Sequence, residues 1–389
     1  MFFEELKEYE GMKPGLSRIK SFLKSIGNPQ DNLKFIHIAG TNGKGSTAVF
    51  LAEILRANGY KTGLYTSPHL VDITERIKIN EKDISKRKFN ALSKKYISLA
   101  KKNKLSYFEY LTALAFIYFS AQKADIVVLE TGLGGRFDAT NVIKNKLAAV
   151  ITSIGLDHCE ILGNSISKIA FEKAGIIKKN TPVVCGDLPK SALNVIKRKA
   201  KPFVLGKDFK IKNIQTSLYG KHQAKNAALA LYAAELLKDK GFKIVPAAAK
   251  KALLNTKWPA RFDIRKFNGA EIIIDGAHNE QGFDAFFESL KIFSGNKKRV
   301  FVFAAMREKK YQGNIKRLSK YAKKIILPDL KNARAVKPEA LKKEFAEYIK
   351  VENIIVTDGV VSALKLVNRK EKYAAVGSLY LAGAILKHI

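Results

Sequence analysis

Apolar positions in this chain alternate between short unbroken runs and helical spacing, the signature of a fold that alternates strands and helices. Leu16 to Leu23 repeats with helical period. Phe35-Ile36-His37-Ile38-Ala39 then reads as a buried strand that turns through Gly40, Gly43 and Gly45 into a helix. Val49, Phe50, Ala52, Ile54 and Leu55 form the apolar face of that helix, and Gly59 closes it. Thr62–Tyr65 predicts a second strand, followed by the polar loop Thr66–Leu70 and a hairpin-like Arg76–Asn80. Helices are expected from about Ser85 and Phe108, over Ser165–Ala174, Gln223–Lys238 and Pro246–Asn255. Ile126–Glu130 and Ala148–Thr152 are the next strands, separated by a glycine-dense turn at Gly132–Asp138.

Trp258-Pro259-Ala260-Arg261 breaks the pattern. Beyond it the alternation restarts, with strands near Glu271–Asp275, Val300–Ala305, Lys324–Leu327, Ile354–Val356 and Ala374–Val376. The expectation is a two-domain α/β protein: residues 1–257, a linker at 258–265, and a smaller, mostly parallel α/β domain over 266–389.

Composition narrows the class. At 389 residues and 47% hydrophobic content the chain is long enough for two cores. No apolar run reaches the roughly 18 residues that span a bilayer, and the N-terminus lacks a signal-peptide core, so a cytoplasmic protein is expected. Cys159 and Cys185 have no Cys or His neighbours at ligand spacing and read as free thiols. The formal charge of +35 attracts anions. Because the lysines are scattered, with no aromatic-interleaved patch, nucleic acid is not the expected partner.

The candidate chemistry starts at Gly40-Thr41-Asn42-Gly43-Lys44-Gly45-Ser46, which reads as a phosphate-binding loop at a helix N-terminus. It departs from the common pattern in one place. Gly45 stands where Ser or Thr would follow the lysine and hold Mg²⁺, so another hydroxyl has to serve. Glu130 ends an apolar strand, either as a metal-supporting acid or as a buried acid paired with a base. Ser67 and His158 fall at other strand ends, and with Glu130 they would give O, O and N ligands for Mg²⁺. His69, His222 and His278 also lie at loop junctions, whereas His37 and His388 read as structural. Spacing alone singles out nothing about Lys173.

Taken in order, several further motifs join this loop. They are Thr66-Ser67-Pro68-His69-Leu70, Glu75-Arg76-Ile77, Phe108-Glu109-Tyr110, the run Glu130–Asn141, Asp157-His158, Glu172-Lys173-Ala174-Gly175-Ile176, Pro259-Ala260-Arg261 and Asp275-Gly276-Ala277-His278-Asn279. From about Gly15 to Ser378 the chain resembles the folylpolyglutamate synthases and bifunctional dihydrofolate synthase/folylpolyglutamate synthases of the Mur ligase superfamily. Gly132–Asn141 is the most specific part of the likeness. The resemblance implies a Mur-ligase-like ATP-binding domain followed by a Rossmann-like glutamate-ligase domain. It also implies a reaction, ATP-dependent addition of L-glutamate to a pterin or folate carboxylate through an acyl phosphate.

The resemblance further implies roles for named residues. Gly40 to Ser46, with Lys44, would hold the ATP phosphates; Asn226, Arg261 and Asp275 would contact the nucleotide. His278 would lie where phosphate and glutamate meet. Ser67, Glu130 and His158 would ligate one Mg²⁺. Lys173, N-carboxylated in the family, would help hold a second, and Lys44, Lys173 and His278 are the candidates for catalysis. Phe108, Glu109, Arg136 and Asp138 match motifs associated with the pterin-bearing substrate. A cleft between domains that closes about the linker would exclude water, and a monomer is expected. The rivals are another Mur-type ligase, which should carry an added domain before the first strand, and a nucleic-acid-stimulated ATPase. A regulator descended from the enzyme should have lost Lys44, Glu130 or His158, and all are present. Whether dihydropteroate, a reduced folate or both is the acceptor stays open.

Overall fold

The computed structural model describes residues 15–211 and 213–389; the Glu- and Lys-rich stretch at 1–14 lies outside the described residues. The chain divides into two compact units. The first is built from residues up to 69, 73–217 and 223–256; the second takes 70–72, 218–222 and 257–389.

The first unit is organised around an eight-stranded sheet. Its strands are β1 (Phe35–Ala39), β2 (Thr62–Tyr65), β3 (Ile77–Ile79), β4 (Lys82–Asp83), β5 (Ile126–Glu130), β6 (Lys146–Ile151), β7 (Val183–Cys185) and β8 (Pro202–Val204), in the order β4-β3-β2-β5-β1-β6-β7-β8. From β2 to β8 the pairing is parallel; β3 and β4 add an antiparallel edge. β1, β5 and β6 are almost wholly buried, which explains why they read as continuous apolar runs.

Two helices matter most for the site. Lys44–Ala57 is buried from Ser46 to Leu55. Tyr107–Ala121 is buried nearly all round and opens on a capping box, in which Ser106 and Glu109 satisfy each other's backbone N–H groups. Register then fixes the geometry, since Ile38 lies opposite Glu130 and Ala39 opposite Ile151. The loops after β1, β5 and β6 therefore emerge side by side at the carboxyl end of the sheet, where the strand order switches. Open α/β sheets bind ligands at that place.

The second unit has a six-stranded sheet of β9 (Asp263–Phe267), β10 (Ala270–Ile274), β11 (Arg299–Phe303), β12 (Ala322–Pro328), β13 (Ile354–Thr357) and β14 (Lys372–Val376). The order is β13-β12-β11-β14-β10-β9, parallel except for β9. Ala260 and Phe262 are buried in this unit's core ahead of the edge strand β9. Among the described residues no helix is long and apolar enough to cross a membrane.

Candidate active site

After β1 the chain has to reverse into a helix within four residues, and the glycines make this possible. Gly43 adopts φ +81°, and a Cβ there would collide with the Asn226 amide; one at Gly40 would collide with the Thr152 hydroxyl. Segment 152–155 laces the loop from behind. Thr41 N donates to Ser153 O (2.8 Å) and Asn42 N to Ser153 Oγ (2.9 Å), while Thr152 Oγ1 and Ser153 Oγ both donate to Asn42 O (2.6 and 3.0 Å). Lys173, buried, donates its Nζ to Gly40 O (2.8 Å). The helix Lys44–Ala57 starts without a side-chain cap and without an acidic residue in its first turn, so its N-terminus is free to meet an anion.

Lys44 Nζ lies 3.3 Å from Thr41 O and 3.9 Å from Glu130 Oε1. Glu130 is buried, and its other oxygen accepts from Ser67 N at 3.1 Å. Loop, lysine, carboxylate and the Ser67 segment thus come together as the sequence suggested. Thr47 Oγ1 is buried nearby on the same helix with no partner. A carboxylate and a hydroxyl-bearing residue beside a phosphate loop are hard oxygen donors, and that chemistry fits Mg²⁺.

His158 follows β6 in the Asp157-His158 turn. It adopts φ +50°, its N donates to Asp157 Oδ1 (3.0 Å), and its ring nitrogens lie 3.9 Å from Asp157 and 3.7 Å from Glu160. Among the described residues no group of three or more His, Cys, Asp or Glu is arranged to hold a metal.

The Gly132–Asn141 run dovetails with the Glu172–Ile176 turn. Arg136 N donates to Glu172 O (2.8 Å), and its guanidinium makes a two-point pair with the Glu172 carboxylate (2.7 and 3.1 Å) while lying over the Phe137 ring. A Cβ on Gly175 would strike the Arg136 backbone, which accounts for the glycine. Asp138 spends its carboxylate on the run itself, accepting from Leu133 N (2.8 Å), Thr140 N (3.0 Å) and Thr140 Oγ1. Burial raises its pKa all the same. Phe108 packs on Gly132, and Glu109 turns one oxygen to Arg18 (3.1 Å) while its other, Oε1, is buried without a partner.

His37, read as structural, is buried and supports this run, and Lys146, which the sequence did not single out, lies beside it. His37 Nε2 lies 2.8 Å from Thr140 Oγ1, and burial pushes its pKa down, with Lys146 adding to the effect. Lys146 is itself buried. Nothing in the sequence near either residue signals this, because their partners come from distant segments.

In the second unit Asp275 ends β10 at the turn Gly276–Asn279. Its two oxygens accept from Phe262 N (2.7 Å) and Ala277 N (2.8 Å), and burial lifts its pKa to about 6 against the pull of Arg261. His278 Nδ1 lies 2.7 Å from Gly276 O, and Asn279 caps the following helix through Gly282 N (2.9 Å). Arg261 sits between Ala260 and Phe262, both left-handed (φ +58° and +50°). Strain of this kind in non-glycine residues concentrates at functional segments. His222 is driven down to about 4 by burial, with Arg261 contributing.

Comparison with known proteins agrees with this picture. The model of the Mur ligase middle domain matches residues 38–204, and that of the Mur ligase glutamate ligase domain matches residues 260–377. The dihydrofolate synthase/folylpolyglutamate synthase of Bacillus subtilis is 37% identical, covering 97% of this chain and 96% of that protein. Folylpolyglutamate synthase from Thermotoga maritima superposes with a TM-score of 0.87 at 31% identity, over 99% of this chain and 94% of that one. E. coli FolC in complex with DHPP and ADP gives a TM-score of 0.88 at 27% identity, over 99% and 95%.

Proposed function

The chain belongs to the Mur ligase family, alongside folylpolyglutamate and dihydrofolate synthases, and from that premise we propose how its residues divide the work of the reaction. It is an ATP-dependent ligase that joins L-glutamate to a pterin or folate carboxylate. Our reading is that it accepts both dihydropteroate and reduced folates, as the double name of its B. subtilis relative suggests. The observation that carries the site assignment is the convergence of the laced phosphate loop, Lys44, buried Glu130 and the Ser67 segment at one end of one sheet.

The acceptor carboxylate attacks the γ-phosphorus of ATP; ADP leaves and an acyl phosphate forms. The glutamate amine then attacks the acyl carbon, phosphate departs, and the nitrogen gives up a proton. The loop Gly40 to Ser46 cradles the phosphates, with the N–H groups from Gly43 to Ser46 at the helix N-terminus as the donors, and Lys44 follows the negative charge as it moves to the transferred group. Ser67 and Glu130, with His158, would hold Mg²⁺, which when bound would supply further neutralisation of phosphate charge. Lys173, N-carboxylated, is the candidate ligand for a second ion. Phe108, Glu109, Arg136 and Asp138 orient the acceptor, and Glu109 Oε1 is supported as a hydrogen-bond acceptor by its lack of a partner. Within the second unit, Arg261 and Asp275 are the candidates for nucleotide contact and His278 for contact with phosphate and the incoming amine.

The test is incubation with ATP, Mg²⁺ and L-glutamate plus either dihydropteroate or tetrahydrofolate, with products weighed by mass spectrometry. A glutamylated product from both acceptors is expected. No product from either would refute the assignment, and product from only one would refute the dual specificity.

A further inference from the structure

Lys146 and Lys173 are the buried lysines among the described residues of a chain with 70 basic side chains. Lys173 belongs to the site already described; Lys146 does not. It starts β6 at a place where the pairing with β1 slips: Phe35 lies opposite Lys146, but Ile36 lies opposite Ala148. The slip in register leaves Leu147 without an opposite residue on β1.

The Lys146 amine donates to Asn141 Oδ1 (2.7 Å) and to Ile176 O (2.8 Å). The Asn141 amide is oriented by two backbone carbonyls, Arg136 O (3.0 Å) and Gly175 O (3.2 Å), which can only accept and so face its NH₂, leaving Oδ1 to meet the amine. One amine therefore closes a buried network across two segments. One of them is the run that holds Arg136 and Asp138; the other is the turn that follows Lys173, whose own amine reaches Gly40 of the phosphate loop.

We propose that Lys146 is a positioning residue for the ligation reaction, setting the spacing between the acceptor-binding run Gly132–Asn141 and the Lys173 turn. Burial, reinforced by Lys178, brings its pKa down to about 6. At neutral pH it is then an uncharged amine with two N–H bonds, matched by two acceptors. Removing it takes the amine donor from two buried oxygens, Asn141 Oδ1 and Ile176 O, and unties the Asn141 side chain from the end of the Lys173 turn at Ile176. The loss should fall on the alignment of acceptor against transferred phosphate, since misplacement by about 1 Å can cost about 100-fold in rate.

The inference rests on the site assignment above. Its test uses the full-length protein and Lys146→Met, which keeps length and loses the donor, assayed well below the variant's melting temperature. Affinity for a fluorescent ADP analogue should stay within about twofold of the parent. For the acceptor, KM should rise and kcat fall, together lowering kcat/KM by about 100-fold. A purely structural role predicts a lower Tm with kcat/KM unchanged, and that result would overturn the proposal. Lys146→Gln, which keeps an NH₂ donor on a shorter side chain, should recover part of the loss, and it decides the matter if the methionine variant does not fold: kcat/KM equal to the parent's would count against positioning. If the parent itself makes no glutamylated product, the functional reading fails; if the parent ligates and the variants match it, only this inference does.

Discussion

Replacing Asp275 with asparagine should flatten one component of the pH dependence of stability. Asp275 is buried at the end of β10, and its pKa rises to about 6, whereas an unperturbed aspartate lies near 3.8. That gap corresponds to about 3 kcal/mol. The sign follows from the raised value: the folded state favours the protonated acid, so its contribution is complete below about pH 4. It is lost as pH climbs towards about 6 and changes no further above that. Asparagine cannot ionise, so the variant lacks this slope. Asparagine also presents an NH₂ to one of the two backbone N–H donors, from Phe262 and Ala277, at a pH-independent cost of about 1–3 kcal/mol. The difference in unfolding free energy between variant and parent should therefore move by about 3 kcal/mol in the variant's favour between pH 4 and pH 7.5. Trp258, the single tryptophan, lies in the same unit, so its fluorescence during urea unfolding reads that unit directly. Other titrating groups are common to both proteins and cancel. Curves that stay parallel within about 0.5 kcal/mol would refute the reasoning.

Three further outcomes are expected. Lys173→Ala removes the buried donor to Gly40 O and should abolish ligation while circular dichroism shows a folded protein; near-normal turnover would remove Lys173 from the site. Gly43→Ala forces a side chain into φ +81° against Asn226, which should destabilise the fold by about 1–2 kcal/mol and weaken nucleotide binding in calorimetry. Glu130→Gln should shift the Mg²⁺ activation curve to higher concentration, and EDTA should stop turnover in the parent; an unmoved curve would count against Glu130 as a ligand.

Strands and phosphate loop were legible because their signals are local. β1, β5 and β6 are buried on both faces and announce themselves as apolar runs, and the glycines of the loop stand where the backbone must reverse. β9 announced nothing. It is an edge strand whose residues Asp263-Ile264-Arg265-Lys266-Phe267 are only partly covered, so no apolar run marks it. Resemblance to a family supplied the candidate roles of Lys173, Arg136 and Asp138, which spacing alone could not. Neither route reached the supports of the site. Thr152, Ser153, His37 and Lys146 act on partners up to 113 residues away, and only the folded topology brings such pairs together.

A peptide unit that turns its oxygen one way turns its N–H the other. The Asn42 oxygen is held from behind by two hydroxyls, from Thr152 and Ser153, so the N–H of Gly43 is directed away from them before any ligand arrives. The two preceding peptides face the other way: the N–H groups of Asn42 and Thr41 are held by Ser153, and the oxygens of Thr41 and Gly40 by Lys44 and Lys173. The loop is thus a preformed mould, and the ordering entropy that a floppy anion loop loses on capture has already been spent in folding. Nucleotide association should accordingly be a single fast phase, with no slow isomerisation of the loop behind it.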